Sequence, residues 1–550
     1  MPLTFESAQS FQWTVRKIAV IGPGIVGMPM AALLADAQIR EGQDEPAKVV
    51  VVQRDSPTSG WKVHAINRGE SVIGGVEPAL DDIVAKAVRR GILSATSNYD
   101  DIADADMILI SVQTDKDGFG PDYGPLFESL DLLTKALVKR PAGNVPLVVF
   151  ESTLAPSSMT TVVRERFARE GLVEGRDVLL GNSPNRVMPG RLVERVAESD
   201  KLVAGLHPLT PVLIKRIYSQ IVTKGVLHQT NSMSAEVVKT LENAYRDVRI
   251  AFAAELVRYC DANDIDFFAL RDEVNRRLSQ SDAASGSATA VPSGAVLVPS
   301  IGVGGHCLPK DGILLWWRRH ESGADTSKSL ILRSREINDA SPAASIALAE
   351  RHFGKLDGRR VALLGAAYRF DSEDTRNSPT LTLARQLLDK GCQVRIHDPY
   401  VKPDDQNLRK HRLTDTFTNE LATALADADV VMFCVGHAVY GQSVREILAS
   451  AATATAVFDG ANLFKAGQFD GSGKQYAGIG RGTRPADEAL VAFVLDAFAV
   501  MEQGVANELD ETIAFLNERY ASDGFNTVSL DSVRVLAGSA SPVVRSAIRR

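Results

Sequence analysis

Short, almost purely aliphatic runs alternate with helix-length amphipathic stretches through the first 220 or so residues. Lys17-Ile18-Ala19-Val20-Ile21, Val49-Val50-Val51-Val52, Met107-Ile108-Leu109-Ile110, Leu147-Val148-Val149-Phe150 and Val178-Leu179-Leu180 have the composition of strands buried on both faces. A helix is expected from Met28 to Ala37. The next region is helical, and its first helix, Ala235 to Ala262, is the longest periodic segment. Ser232 or Ser234 is the expected cap, with Glu236 favoured in the first turn by the helix dipole. From Arg359 the alternation restarts with Arg360-Val361-Ala362-Leu363-Leu364-Gly365, Gln393-Val394-Arg395-Ile396-His397 and Val430-Val431-Met432-Phe433-Cys434. The pattern therefore predicts an α/β protein in which two doubly wound units flank a helical middle. Residues 281–300, rich in Ser, Ala and Gly, read as a mobile surface loop. Beyond Asp487 an amphipathic helix is expected, then a less patterned tail.

With 550 residues the chain is too long for one core, which agrees with several domains. The 61 basic and 68 acidic residues give a net charge of −7, without the basic blocks that track nucleic acid. Small-molecule partners are expected instead. Cys260, Cys307, Cys392 and Cys434 show neither metal-ligand spacing nor a disulfide framework, so no metal is expected and a reducing compartment is. No N-terminal stretch resembles a signal peptide and no apolar run is expected to approach a bilayer span, so a cytoplasmic protein without membrane contact is expected.

The first aliphatic run leads directly into Gly22-Pro23-Gly24-Ile25-Val26-Gly27. In such a turn the first glycine allows the tight bend, the second brings main chain to a pyrophosphate, and the third lets helix and strand pack, with the helix N-terminus facing the phosphates. After the second strand a ribose-binding acid is expected, but the chain has Gln53-Arg54-Asp55. Either the acid is displaced to Asp55 or the Gln53 amide replaces it. Arg54 would suit a 2′-phosphate, so both NAD and NADP remain open.

A second chemical signal is Val303-Gly304-Gly305-His306-Cys307-Leu308-Pro309-Lys310-Asp311. Gly302, Gly304 and Gly305 would let main chain approach a ligand, and His306, Lys310 and Asp311 would bias the thiol of Cys307 toward thiolate. On the long helix, Lys239, Asn243 and Arg246 share one face amid apolar positions. A buried lysine without an acid beside it is costly, and Asp247 lies off this stripe, which leaves a substrate anion or oxyanion as its partner.

Together these residues resemble the nucleotide-sugar 6-dehydrogenases, the UDP-glucose/GDP-mannose dehydrogenase family. The resemblance also rests on Ser111-Val112-Gln113-Thr114, Glu151-Ser152-Thr153, the run Ser183 to Gly190, Asp374-Thr375-Arg376-Asn377-Ser378-Pro379 and Tyr476 to Gly482. It implies two Rossmann-type domains joined by a helical middle domain with a long central helix: an NAD-binding domain over 1–225, a dimerisation domain carrying the cysteine loop over 226–345, and a UDP-sugar-binding domain over 346–486. An extension of unknown role would fill 487–550. It further implies a homodimer or a dimer of dimers, and a four-electron oxidation at a sugar C6 through a thiohemiacetal and thioester on Cys307. Lys239 and Asn243 would stabilise oxyanions, and Asp311 would activate water or thiol. Thr114 and Thr153 would line the nicotinamide and water positions, and Gly22, Gly24, Ile25, Val26, Gly27, Gln53 and Arg54 would hold the cofactor. Arg186, Arg246, His306 and Arg376 would meet the sugar nucleotide, Arg376 at its diphosphate.

His306 before the cysteine and Arg246-Asp247 on the helix resemble the branch acting on UDP-N-acetylhexosamines, UDP-N-acetylmannosamine or UDP-N-acetylglucosamine in particular. One departure stands out: Asn185 occupies a position where the family carries glutamate, and Asp311 or Glu151 would have to take over its role unless thioester hydrolysis is slow. Alternatives are a UDP-glucose or GDP-mannose 6-dehydrogenase, a two-electron β-hydroxyacid dehydrogenase with no use for Cys307, and a sugar-nucleotide binder without turnover.

Overall fold

A computed structural model describes residues 11–74, 77–140, 145–187, 190–284, 295–465, 467–469, 471–521 and 523–540. The chain divides into two compact units. One contains everything described up to Glu242, together with Leu314–Ala324 and the described residues from Leu509; the other contains Asn243–Ile313 and Asp325–Glu508.

The first unit is built on an eight-stranded sheet. Its strands are β1 (Lys17–Ile21), β2 (Lys48–Val52), β3 (Leu93–Thr96), β4 (Met107–Ile110), β5 (Leu147–Phe150), β6 (Leu179–Asn182), β7 (Lys201–Gly205) and β8 (Leu227–Asn231), in the order β8-β7-β6-β5-β4-β1-β2-β3. All neighbours are parallel except β6 and β7. Parallel strands need helical cover on both faces, and every residue of β4 and β5 is accordingly buried. The strand order reverses between β1 and β4, so the crevice beyond their carboxyl ends is the switch point where such sheets bind ligands. Helix α1 (Gly27–Asp36) leaves from that crevice, one residue earlier than expected.

The second unit holds a six-stranded, all-parallel sheet. Its strands are β9 (Arg360–Leu364), β10 (Gln393–His397), β11 (Phe417–Thr418), β12 (Val430–Phe433), β13 (Ala456–Asp459) and β14 (Gln475–Gly478), in the order β11-β10-β9-β12-β13-β14. The expected α/β class with two Rossmann-like sheets and a helical middle is what the chain forms.

The chain passes between units inside helix α2 (Ser232–Ala262) and again inside α3 (Leu308–Glu321). The start of α2 corrects the expected cap: Asn231 Oδ1 accepts the Ser234 N–H at 2.8 Å, while the Ser232 and Ser234 hydroxyls find no partner. An asparagine side chain reaches the third residue of a helix as readily as a serine does. The loop expected over 281–300 is also revised, because a helix Phe267–Ala284 continues into it; residues 285–294 lie outside the described residues, as do Met188 and Pro189 of the motif near Asn185.

Past Asp487, helix α4 (Glu488–Tyr520) is followed by a further helix, Leu530–Ala540, where little pattern was expected. Contrary to the expectation about apolar runs, α4 is long and apolar enough to cross a membrane, with an 18-residue window of mean hydropathy 1.7. Within the second unit its Val494, Phe498 and Val505 are nevertheless buried in protein. Phe498 meets Phe252 of α2 edge-on at 5.5 Å, and Glu502 accepts from Tyr245 at 2.9 Å. Farther along, in the first unit, Asn231 donates to the carbonyls of Phe525 and Thr527, and Asn526 donates to that of Leu206. The C-terminal segment is thus part of both cores. Replacing Phe498 by Ala is expected to destabilise the protein by about 3–5 kcal/mol; an unshifted urea midpoint would contradict this role.

Candidate active site

In the first unit the glycine turn has the form a dinucleotide requires. Gly22 has φ +91°, and a Cβ there would lie 2.8 Å from the Ser111 carbonyl oxygen; a Cβ on Gly27 would lie 2.1 Å from Gly22 O. Gly24 differs, since a Cβ on it would meet nothing within 4 Å. The turn therefore packs tightly on the sheet side and is open on the other. Helix α1 begins there with no side-chain cap and no acid in its first turn, so its N–H groups and dipole are available to a diphosphate. Ile25 is exposed beside Val26 on that open side.

At the end of β2 the Gln53 amide donates to Ser59 Oγ at 3.0 Å and to its neighbour's carbonyl, while Arg54 pairs at the surface with Glu128. Thr114 is buried and donates to the Thr153 carbonyl at 2.7 Å, which joins the ends of β4 and β5.

Beside these threonines is a buried polar cluster that the sequence reading reached only in part. Lys201 Nζ donates to Glu151 Oε2 (2.8 Å), Ser183 O (2.9 Å) and Asn185 Oδ1 (2.8 Å). Glu151 also accepts from the Asn185 amide and from the Tyr218 hydroxyl. Burial lowers the Lys201 ammonium from its ordinary range, against the pull of Glu151. Glu151 is fully buried with three donors on it. Lys201 was missed, although a lysine heading the otherwise apolar run of β7 was the available signal.

Arg186 is forked onto Glu242 at 2.7 and 2.8 Å. Lys239 is 7% exposed, and among the described residues no carboxylate pairs with it. Glu236, one turn earlier on α2, accepts the N–H groups of Ser157 and Met159, both at 2.8 Å, and so anchors the turn after Thr153.

In the second unit, Cys307 caps helix α3: its carbonyl accepts from Lys310 N at 3.1 Å and Asp311 N at 2.9 Å. Cys307 thus stands at the N-terminal, positive end of the helix dipole. Cys307 is the one exposed cysteine; Cys260 and Cys434 are pushed up to about 12 by burial, and Cys392 is raised for the same reason. Asp311, fully buried, accepts from Lys310 Nζ at 2.9 Å and from the Asn243 amide at 2.5 Å. Lys310, expected to act on the thiol, is paired with its neighbour Asp311.

The loop glycines also differ from expectation. A Cβ on Gly304 would lie 2.5 Å from Tyr368 Cβ, and one on Gly302 2.9 Å from Pro379. On the side a Cβ would occupy, they bring main chain against protein. His306 is half-buried, Arg246 is exposed, and Arg376 is bidentate on Asp374 through Nε and Nη2, which leaves Nη1 outside the pair. Asn243 and Asp311 are thus brought together, and Lys239 stands one turn before Asn243 on α2.

Comparison with known proteins follows this geometry closely. The NAD binding domain of the UDP-glucose/GDP-mannose dehydrogenase family matches residues 16–222, its central domain 233–340 and its UDP binding domain 362–466. A UDP-N-acetyl-D-mannosamine dehydrogenase of Campylobacter jejuni is 30% identical over 431 residues, 76% of this chain and 95% of that one. One from Pyrococcus horikoshii is 29% identical over 470 residues, 85% and 99% of the two chains. The crystal structure of the NDP-N-acetyl-D-galactosaminuronic acid dehydrogenase of Methanosarcina mazei Go1 superposes with TM-score 0.71 at 32% identity, covering 87% of this chain and 98% of its own.

Burial pushes Glu236 up to about 8 from an ordinary 4.5. A raised folded-state value contributes stability that is complete below about pH 4.5 and is lost as pH rises through about 8. Unfolding midpoints across pH 4–9 should therefore show wild type losing stability relative to Glu236→Gln through this window; parallel curves would contradict it.

Proposed function

Because this chain belongs to the UDP-glucose/GDP-mannose dehydrogenase family, and is thus an NAD-dependent nucleotide-sugar dehydrogenase, we propose that it oxidises the C6 alcohol of a UDP-N-acetylhexosamine to the uronic acid in two successive steps. UDP-N-acetylmannosamine and UDP-N-acetylglucosamine are the substrates favoured by His306 before the cysteine, by Arg246-Asp247 on α2, and by relatives that bear the first of these names. Bound NAD supplies the hydride acceptor in both oxidations, with Gly22, Gly24, Ile25, Val26 and Gly27 at its diphosphate, Gln53 and Arg54 toward its ribose, and Thr114 and Thr153 toward its nicotinamide end.

Cys307 carries the remaining chemistry. After the first oxidation its sulfur bonds to the C6 carbonyl carbon, the C=O π bond opens and the thiol proton ends on the C6 oxygen, giving a thiohemiacetal. The second oxidation leaves a thioester, and water then adds to its carbonyl, releases the acid and returns the thiol. Lys239 and the Asn243 amide hold the oxygen on which negative charge develops, an effect worth on the order of 3 kcal/mol per donor. Asp311 fixes the Asn243 amide and lies one helical turn from the thiol, where it receives a proton from water. Arg186, Arg246, His306 and Arg376 bind the sugar nucleotide, with the Arg376 guanidinium on the diphosphate. The observation that carries this reading is the exposed Cys307 at the N-terminus of α3, whose next turn holds the buried Asp311 hydrogen-bonded to the half-buried Asn243. We further propose a soluble, cytoplasmic dimer.

Purified enzyme given limiting UDP-N-acetylmannosamine should release two NADH per sugar nucleotide, and Cys307→Ser should form no uronate. One NADH per sugar, or undiminished acid from the serine variant, would refute the proposal.

A further inference from the structure

The loop from Gly365 to Ser378, between β9 and the helix Pro379–Asp389, is fastened at its base and at its far end. At the base, the buried carboxylate of Asp398 accepts the N–H groups of Ala366 and Ala367 at 2.7 and 3.0 Å. His437, fully buried, accepts the Asp371 N–H on Nδ1 at 2.8 Å and sets Nε2 3.1 Å from Asp398.

At the far end the loop grips the segment before Cys307. Gly305 N donates to the Arg376 carbonyl at 2.8 Å, and the Asn377 amide donates to the Gly305 carbonyl at 2.9 Å. Both main-chain polar groups of Gly305 are thus held by adjacent residues of one rigid loop. Asn377 has φ +48°, a left-handed conformation that asparagine tolerates better than most residues. The held segment needs such a grip. Gly302, Gly304 and Gly305 precede the exposed thiol, and glycine carries the largest backbone freedom to be removed.

We propose that Asn377 is a positioning residue for Cys307: its amide fixes the thiol segment to the loop that presents Arg376, so that a group bound at Arg376 and the sulfur are held in one frame. The inference rests on the reading of Cys307 as nucleophile. Asn377 itself is exposed, its amide reaches the cysteine loop at the Gly305 carbonyl and its own carbonyl packs against Gly304, so its effect is on placement and not on chemistry. A displacement near 1 Å at a reacting atom costs up to about a hundredfold in rate.

Two variants separate the amide from the backbone. Asn377→Gly keeps the left-handed conformation and deletes the donor; Asn377→Asp keeps the size but presents a carboxylate, which accepts and does not donate. Both are expected to lower kcat at least about tenfold while calorimetry shows UDP binding unchanged, and amide exchange across 302–307 in the substrate-free enzyme should quicken. Unchanged kcat in either folded variant overturns the proposal. So does a loss of UDP affinity parallel to the loss of kcat, which would make Asn377 part of nucleotide binding. If Asn377→Gly does not fold, the aspartate variant decides. The exchange arm needs no turnover: quickened exchange with a Cys307→Ser enzyme that still makes uronate would sink the nucleophile reading and leave the latch standing.

Discussion

The carboxylate of Asp311 is the constraint on which the rest of the site depends. Fully buried, it takes hydrogen bonds from Lys310 on its own helix and from Asn243 on α2. A buried carboxylate is tolerable only when paired and hydrogen-bonded, so neither contact is optional. Together they fix where α3 begins and what it faces. Since Cys307 is the residue whose carbonyl accepts the first bonds of α3, the placement of the sulfur follows from a carboxylate one turn away. The half-buried amide of Asn243 then lies on the face of α2 that carries Lys239 one turn earlier.

Much of this was legible in the sequence, and for identifiable reasons. Aliphatic runs such as Met107–Ile110 and Leu147–Phe150 gave their strands without error because a strand buried on both faces admits almost no polar residue. The Gly22 to Gly27 turn was legible because its glycines answer steric demands: Cβ atoms on Gly22 and Gly27 would strike main chain. What stayed hidden depends on contacts between residues distant in sequence. Nothing local shows that Lys201 turns inward to Glu151, that Asn231 caps α2, or that the glycines before Cys307 pack on Tyr368 and Pro379. The apolar α4 was underestimated because its acids, Glu502 and Glu508, disguise a buried face; they are themselves buried, accepting from Tyr245 and Ser329.

Asn185 gives this enzyme its individual character. The amide bridges the Lys201 ammonium and the Glu151 carboxylate, offering oxygen to one and N–H to the other. A second carboxylate at this position would lack a proton for Glu151 and would add like charge beside it. Among the described residues the cluster is thus internally satisfied, and the proposed cycle assigns the proton-accepting task in thioester hydrolysis to Asp311. Because Asp311 is already held by Lys310 and Asn243, release of the acid would be the slow step of the proposed cycle.

The most direct measurement is the mass of Cys307 itself during turnover. Enzyme mixed with UDP-N-acetylmannosamine and NAD, quenched in acid and digested, is expected to yield a peptide in which Cys307 carries the oxidised sugar nucleotide, with Cys260, Cys392 and Cys434 unmodified. Unmodified Cys307 throughout a time course in which uronate accumulates would contradict the account.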